Sequence, residues 1–113
     1  MSDGLRLTAF VSDSDLWHHK PVYHEIVRRA QKAGLAGASA FRGIEGYGAT
    51  GRIHTTRILS LADELPTIVI IVDTRAKIEA FLPQLDELIP GGLATLEPVE
   101  ILHFSAARQR RAM

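Results

Sequence analysis

Near the start of the chain Leu5, Leu7, Ala9 and Val11 alternate with Arg6, Thr8 and Phe10, a period of two that predicts a strand with one face better buried than the other. Ser12 to Lys20 is polar and reads as a loop, and Pro21 suits the first position of a helix, where its missing N–H costs nothing. Tyr23, Ile26, Val27 and Ala30 then fall on one helical stripe. Arg28, Arg29 and Lys32 favour the negative end of the helix dipole, and Gly34 supplies the stop. From Ala36 to Arg42 small and apolar residues alternate loosely as a second strand, followed by a glycine-rich segment. Pro66 to Asp73 contains IVIIV, a β-branched run with no polar face, which predicts a third strand buried on both sides. Thr74 can cap a second helix through Ile89, with Ile78, Phe81, Leu82, Leu85 and Leu88 inward and a kink at Pro83. Pro90, Gly91 and Gly92 end that helix, and a last strand spans Ala94 to Phe104.

The order is βαββαβ. With short connections and right-handed crossovers it gives an α+β, ferredoxin-like fold: a four-stranded antiparallel sheet with both helices on one face. The other sheet face is left bare, yet the third strand is apolar on both sides and the first adds Phe10 there. Exposed apolar patches of that size mark interfaces, so a homo-oligomer packed sheet against sheet is expected, with clefts between subunits as candidate ligand sites.

A length of 113 residues fits one domain, taken as 1–104, with a basic tail over 105–113. Thirteen basic side chains balance thirteen acidic ones, so attraction for anions must be local, and nucleic acid is disfavoured as a partner. Without cysteine there are no disulfides or thiolate metal sites. The run Ile68 to Val72 is far too short to span a bilayer and the N-terminus has no leader-like pattern, so a cytoplasmic protein is expected.

Chemistry concentrates in residues 42–57. Gly43, Gly46, Gly48 and Gly51 lie beside Arg42, Arg52, His54, Thr55, Thr56 and Arg57. The glycines alone fit a long flexible hairpin connection. The cations and hydroxyls suit phosphate oxygens, and glycines let consecutive backbone N–H groups converge on an anion. Neither a G-x-G-x-x-G nor a Walker loop is present, so both readings stand. A second cluster, DLWHHKPVYHE, offers Trp17, His18, His19, Lys20 and His24. Trp17 can pack over the core edge with solvated histidines, or stack beside a base with His18 or Lys20 facing phosphates. The three imidazoles can also be drawn as a metal site. For catalysis the sequence offers only Glu45 with His54, and no G-x-S-x-G, cysteine nucleophile or H-E-x-x-H accompanies them, so a nucleotide-hydrolysing enzyme is a minor alternative to a non-enzymatic role.

The stretches LRLTAFVSDSDLWHHKPVYHEIVRRAQKAGLAGASAFRGIEGYG, RIHTTRILSLADELPTIVIIVD and KIEAFLPQLDELI resemble the PII-like signalling superfamily, in particular the branch called domain-of-unknown-function family 190. The resemblance covers Leu5 to about Phe104. It implies a trimer of ferredoxin-like protomers whose lateral clefts take a small anionic effector such as an adenine nucleotide (ATP, ADP or AMP), and a mobile loop that signals occupancy. It also implies a partner such as a membrane transporter or channel, since members of the family similar to this chain are expected to be encoded near fluoride-exporting channels. Gly46, Tyr47 and Gly48 match the family's Gly-aromatic-Gly turn at the loop base, where main-chain amides approach the ligand, and Arg108 and Arg110 match its C-terminal arginines. Ala49 and Thr50 replace the Arg-Gln of typical PII proteins, and the helix-to-strand loop is only PGG, without a Gly-Asp-Gly-Lys phosphate grip. No tyrosine lies between Ala49 and Pro66, so regulation by tyrosine nucleotidylation is not carried over. An alternative is a CutA-like metal-binding trimer using His18, His19 and His24.

Overall fold

The computed structural model describes residues 2–47, 54–55 and 65–104. Its main sheet is built from β1 (Ser2–Ser12), β4 (Ala38–Arg42), β7 (Pro66–Asp73) and β8 (Leu93–Ile101). Between them lie the short pieces β2 (Leu16–Trp17), β3 (Lys20–Pro21), β5 (Glu45–Gly46) and β6 (His54–Thr55), and the helices α1 (Val22–Lys32) and α2 (Arg75–Leu88). The strand order is β4-β7-β1-β8, antiparallel throughout, with β1 placing Leu7 opposite Ile71 on one side and Leu96 on the other. This is the expected ferredoxin-like arrangement.

Alternation in β1 decides which face is filled. Leu5, Leu7, Ala9 and Val11 join Val69 and Ile71 of β7, Val22, Ile26 and Ala30 of α1, and Ile78, Phe81, Leu85 and Leu88 of α2 in one buried cluster, so both helices cover the same face. Thr74 caps α2 as expected, its hydroxyl accepting from the Lys77 N–H at 3.4 Å. The helix runs unbroken through Pro83. Gly34 turns the chain out of α1 at φ +78°, a region glycine enters without a Cβ clash.

Several boundaries move, the first strand starting at Ser2 rather than Leu5. The second long strand starts at Ala38 rather than Ala36, because the Ala36 N–H is taken by the Asp73 side chain at 2.8 Å instead of a neighbouring strand. The last strand ends at Ile101 rather than Phe104. The stretch read as a plain loop holds a hairpin, β2–β3, with Leu16 opposite Pro21 and Trp17 opposite Lys20. Its two-residue turn is His18-His19, both at positive φ, 50° and 68°. Such turns follow the twist of the flanking strands and normally take Asn or Gly.

On the bare face Ile68, Ile70 and Val72 of β7 are half-buried, where burial on both sides was expected. They lie beside exposed Phe10, Phe41 and Leu93. In register, Phe41, Ile68, Phe10 and Leu93 form one apolar row across all four strands. Two steps along β1 the row through Thr8 is mixed, and two further on Arg6 stands between Val72 and Glu97 and pairs with Glu97 at 2.6 Å.

Candidate functional site

The glycine segment starts where β4 ends, and its first glycines serve packing. The Gly43 N–H donates to the Pro66 carbonyl at 2.6 Å. A Cβ on Gly43 would fall 2.7 Å from Cγ of Pro66, and one on Gly46 would fall 2.9 Å from the same atom. Both positions therefore need glycine for close approach to a rigid ring. Beyond Gly43 the chain makes a small antiparallel ladder, with Glu45 opposite Thr55 and Gly46 opposite His54. Glu45 and His54 are thus not cross-strand partners, so the register does not build the acid–base pair drawn from sequence. Tyr47 and Ile44 point to solvent.

Arg42 closes β4 with its side chain 60% exposed, and its Nε lies 3.2 Å from Oδ2 of Asp13. Asp13 follows directly on β1, and its N–H donates to the carbonyl of Leu65, just ahead of β7. Since β7 lies between β4 and β1, the Arg42–Asp13 pair spans β7 where Thr67 sits opposite both Arg42 and Val11. The Asp13 side chain is only 6% exposed and Thr67 only 3%. Among the described residues, Oδ1 of Asp13 and Oγ1 of Thr67 are buried without a hydrogen-bond partner. Sequence reasoning singled out Arg42 and missed these two. A faint signal existed, for Asp13 continues the inward parity of Leu5 to Val11.

The second candidate group gathers on α1. The His18 imidazole stacks on the Trp17 indole, centroids 3.9 Å apart and planes 4° from parallel. The Arg29 guanidinium lies over the same indole at 4.7 Å. Arg29 is held in turn by Glu87 of α2 at 2.9 Å and by Glu25 at 3.1 Å. Glu25 is fully buried on the inner side of α1 and also takes two hydrogen bonds from Arg28. The Arg28 hydrogen bond, with Arg29 assisting, outweighs burial and holds the Glu25 carboxyl down to about 2. Trp17 therefore packs at the core edge with its ring already engaged, while Lys20 is exposed in β3. Among the described residues no group of three or more His, Cys, Asp or Glu side chains could hold a metal ion, and His18, His19 and His24 do not form one.

The structure thus brings Arg42, Gly43 and Gly46 together around Pro66, and Trp17 with His18 against Arg29. Gly48, Arg52, Arg108 and Arg110 lie outside the described residues, and His54 is described by its backbone alone. Of two shallow surface grooves, one is lined by Asp3, Gly4, Arg75, Pro98, Val99 and Glu100 and the other by Arg28, Arg29, Lys32, Ala33 and Gln84, so neither is lined by a site residue singled out from sequence, though the second shares Arg29 with the Trp17 group. Among the described residues no helix is long and apolar enough to cross a membrane.

Helices on one face of a β4-β7-β1-β8 sheet define the class as ferredoxin-like. Residues 4–101 match the family described as DUF190, uncharacterized ACR, and the chain belongs to that family. A UPF0166 protein of Aquifex aeolicus is 38% identical over 98 residues, covering 87% of this chain and 92% of its own. Among solved structures, a putative PII-like signaling protein from Thermus thermophilus superposes with a TM-score of 0.61 at 17% identity, covering 90% of this chain and 94% of that one. CPII from Thiomonas intermedia, bound to ADP and bicarbonate, gives 0.55 at 13% identity, covering 88% and 89%. CutA from Xylella fastidiosa gives 0.58 at 19%, covering 96% and 93%. At these identities the likeness is one of fold.

Proposed function

We propose that this protein is a PII-like regulator that assembles as a trimer and binds a small anionic effector, an adenine nucleotide, in the clefts between subunits. The observation that carries this reading is the anchoring of the glycine segment. Gly43 and Gly46 are pressed onto Pro66 at the sheet corner, so the chain leaving that corner springs from a fixed base beside the exposed guanidinium of Arg42. A ligand seated there would bias the segment that follows, and differential contacts in two loop states would shift affinity for a partner. The CPII structure of the same fold holds ADP, which supports an adenine nucleotide as effector. A membrane transporter or channel is the proposed partner, met at a cytoplasmic surface, and the role is non-enzymatic.

The apolar row on the open face supports assembly, since two or more copies burying Phe10 and Phe41 would remove a continuous hydrophobic stripe from water. The test is a thermal-shift panel of ATP, ADP, AMP, cyclic AMP and S-adenosylmethionine, run beside light scattering for subunit number. A rise in Tm with one adenine nucleotide, weakened in Arg42→Gln, with a mass of three chains, is the expected result. A monomer that responds to none of them would refute the proposal.

A further inference from the structure

We infer that the groove between α1 and α2, on the outer side of the helix layer, is a docking site for an acidic segment of a partner protein. This rests on the regulator reading above for the existence of a partner, and it gives that partner a contact apart from the glycine segment.

The site is organised around Glu25. It is the only acid of α1 and is fully buried, whereas the residues that the helix exposes are His24, Arg28, Gln31 and Lys32, so its outer face carries no negative charge. Two guanidiniums close on one oxygen of that acid: Nη2 of Arg28 lies 2.8 Å and Nε of Arg29 3.1 Å from Oε2 of Glu25. They are thereby held side by side, close enough that the charge of Arg29 opposes that of Arg28. Lys32 follows one turn beyond Arg28. Glu25 and Glu87 answer two of these three cations and leave one in surplus. The helix dipole accounts for Arg29 and Lys32 in the last turn, but not for two guanidiniums converging beside an open groove. That groove is lined by Arg28, Arg29, Lys32, Ala33 and Gln84, with no carboxylate among its described lining residues. Glu25 fixes the guanidiniums from the buried side, so an incoming acid meets donors whose direction is already set. The shape of the charge favours a narrow ligand. The neighbouring α2 exposes Glu79, Asp86 and Glu87, which repel a flat anionic bilayer laid across both helices, while a segment one chain wide can follow α1. Carboxylates one helical turn apart match Arg28 and Lys32, themselves four residues apart. Both helices cover the sheet face opposite the Phe10 and Phe41 row, so assembly through that row leaves the groove accessible.

The experiment titrates the full chain with a fluorescein-labelled, alanine-based helical peptide bearing glutamates four residues apart, and with the same peptide carrying glutamine in their place. Wild type should bind the glutamate peptide about tenfold or more tightly than the glutamine one, and the preference should shrink as salt is raised. Lys32→Glu combined with Gln84→Glu puts two acids into the groove and leaves the Glu25 pairs in place, so binding should weaken about tenfold or more while Tm holds. Arg75→Glu makes the same charge reversal in the other groove and should change binding by less than about twofold, which separates the site from net charge. Vesicles of phosphatidylcholine and phosphatidylserine should not displace the peptide. Equal affinity for the two peptides, an equal loss in Arg75→Glu, or displacement by the vesicles would overturn the inference. Any of these, with ADP still raising Tm, leaves the regulator proposal standing. A chain that answers neither ADP nor the peptide would sink both.

Discussion

Gly43 donates its N–H to the carbonyl of Pro66 at 2.6 Å, and a Cβ added to Gly43 would lie 2.7 Å from that proline's Cγ. The bond and the close approach are one feature, since the strand edge can draw this near only where no side chain intervenes. Gly43→Ala should therefore destabilise by about 1–3 kcal/mol through overpacking. In Pro66→Ala the obstructing ring is gone and the same change should cost much less. Urea denaturation of the four members of this cycle checks it, and additive effects would mean that the two residues are not coupled.

Glu25 predicts how the fold answers acid. Its carboxyl has a pKa lowered from 4.5 to about 2, chiefly by the Arg28 hydrogen bond. A depressed carboxyl binds fewer protons in the folded than in the unfolded state, so its stabilisation is fully present above about pH 4.5 and is lost as pH falls toward 2. The contribution is on the order of 2–3 kcal/mol. Glu25→Gln should lower stability at neutral pH, where Arg28 and Arg29 lose their counter-charge, and should flatten the decline between pH 4.5 and 2. Chemical denaturation across that window reads both, and a slope unchanged by the substitution would remove Glu25 as its source.

Elements that repeat one local rule over many residues were legible from sequence. Leu5 to Val11, the IVIIV run of β7 and the capped α2 each carry their pattern over several positions, and together they fix the four-stranded sheet. The half-buried state of Ile68 and Ile70 departs from the expectation of full burial because both helices pack on the other face of the sheet and neither covers theirs. What escaped depends on single contacts between distant segments. The His18-His19 turn has no glycine or asparagine to announce it. The glycines of the loop base advertised backbone freedom, yet Gly43 and Gly46 are required by the ring of Pro66. Arg42 stood out as a cation, but its partner Asp13 is brought near only by the strand order, which no spacing along the chain encodes.

The hairpin turn yields a prediction in the opposite direction from most substitutions. His19 holds φ 68° and is exposed, so it bears the left-handed penalty without burial to offset it. For a residue with a Cβ that penalty is roughly 1–2 kcal/mol, part of which glycine would return to the unfolded chain as entropy. His19→Gly should raise stability by about 0.5–1 kcal/mol. The companion change His18→Ala should lower it by about 0.5–1.5 kcal/mol, because the stack on Trp17 is lost. The chain's single tryptophan gives a fluorescence signal for both variants. If His19→Gly destabilises, the turn is held by contacts of His19 that outweigh its backbone strain.

The row Phe41, Ile68, Phe10 and Leu93 crosses the whole open face and leaves Phe10 42% and Phe41 54% exposed. Two large aromatic side chains, each able to remove well over about 100 Å² from water, make this stripe the strongest apolar feature on the sheet's outer side. It lies at the end of the sheet that carries Arg42 and Gly43, so subunits joined through it would bring their candidate sites close to the interface. Phe10→Glu should convert the proposed trimer to monomers at micromolar concentration while leaving the far-ultraviolet circular dichroism unchanged, because Phe10 faces away from the buried cluster. Loss of the trimer should also weaken nucleotide binding if the effector sits between subunits. A variant that stays trimeric by light scattering would remove this face from the interface, and one that becomes monomeric yet binds ADP as tightly as wild type would move the site wholly within one chain.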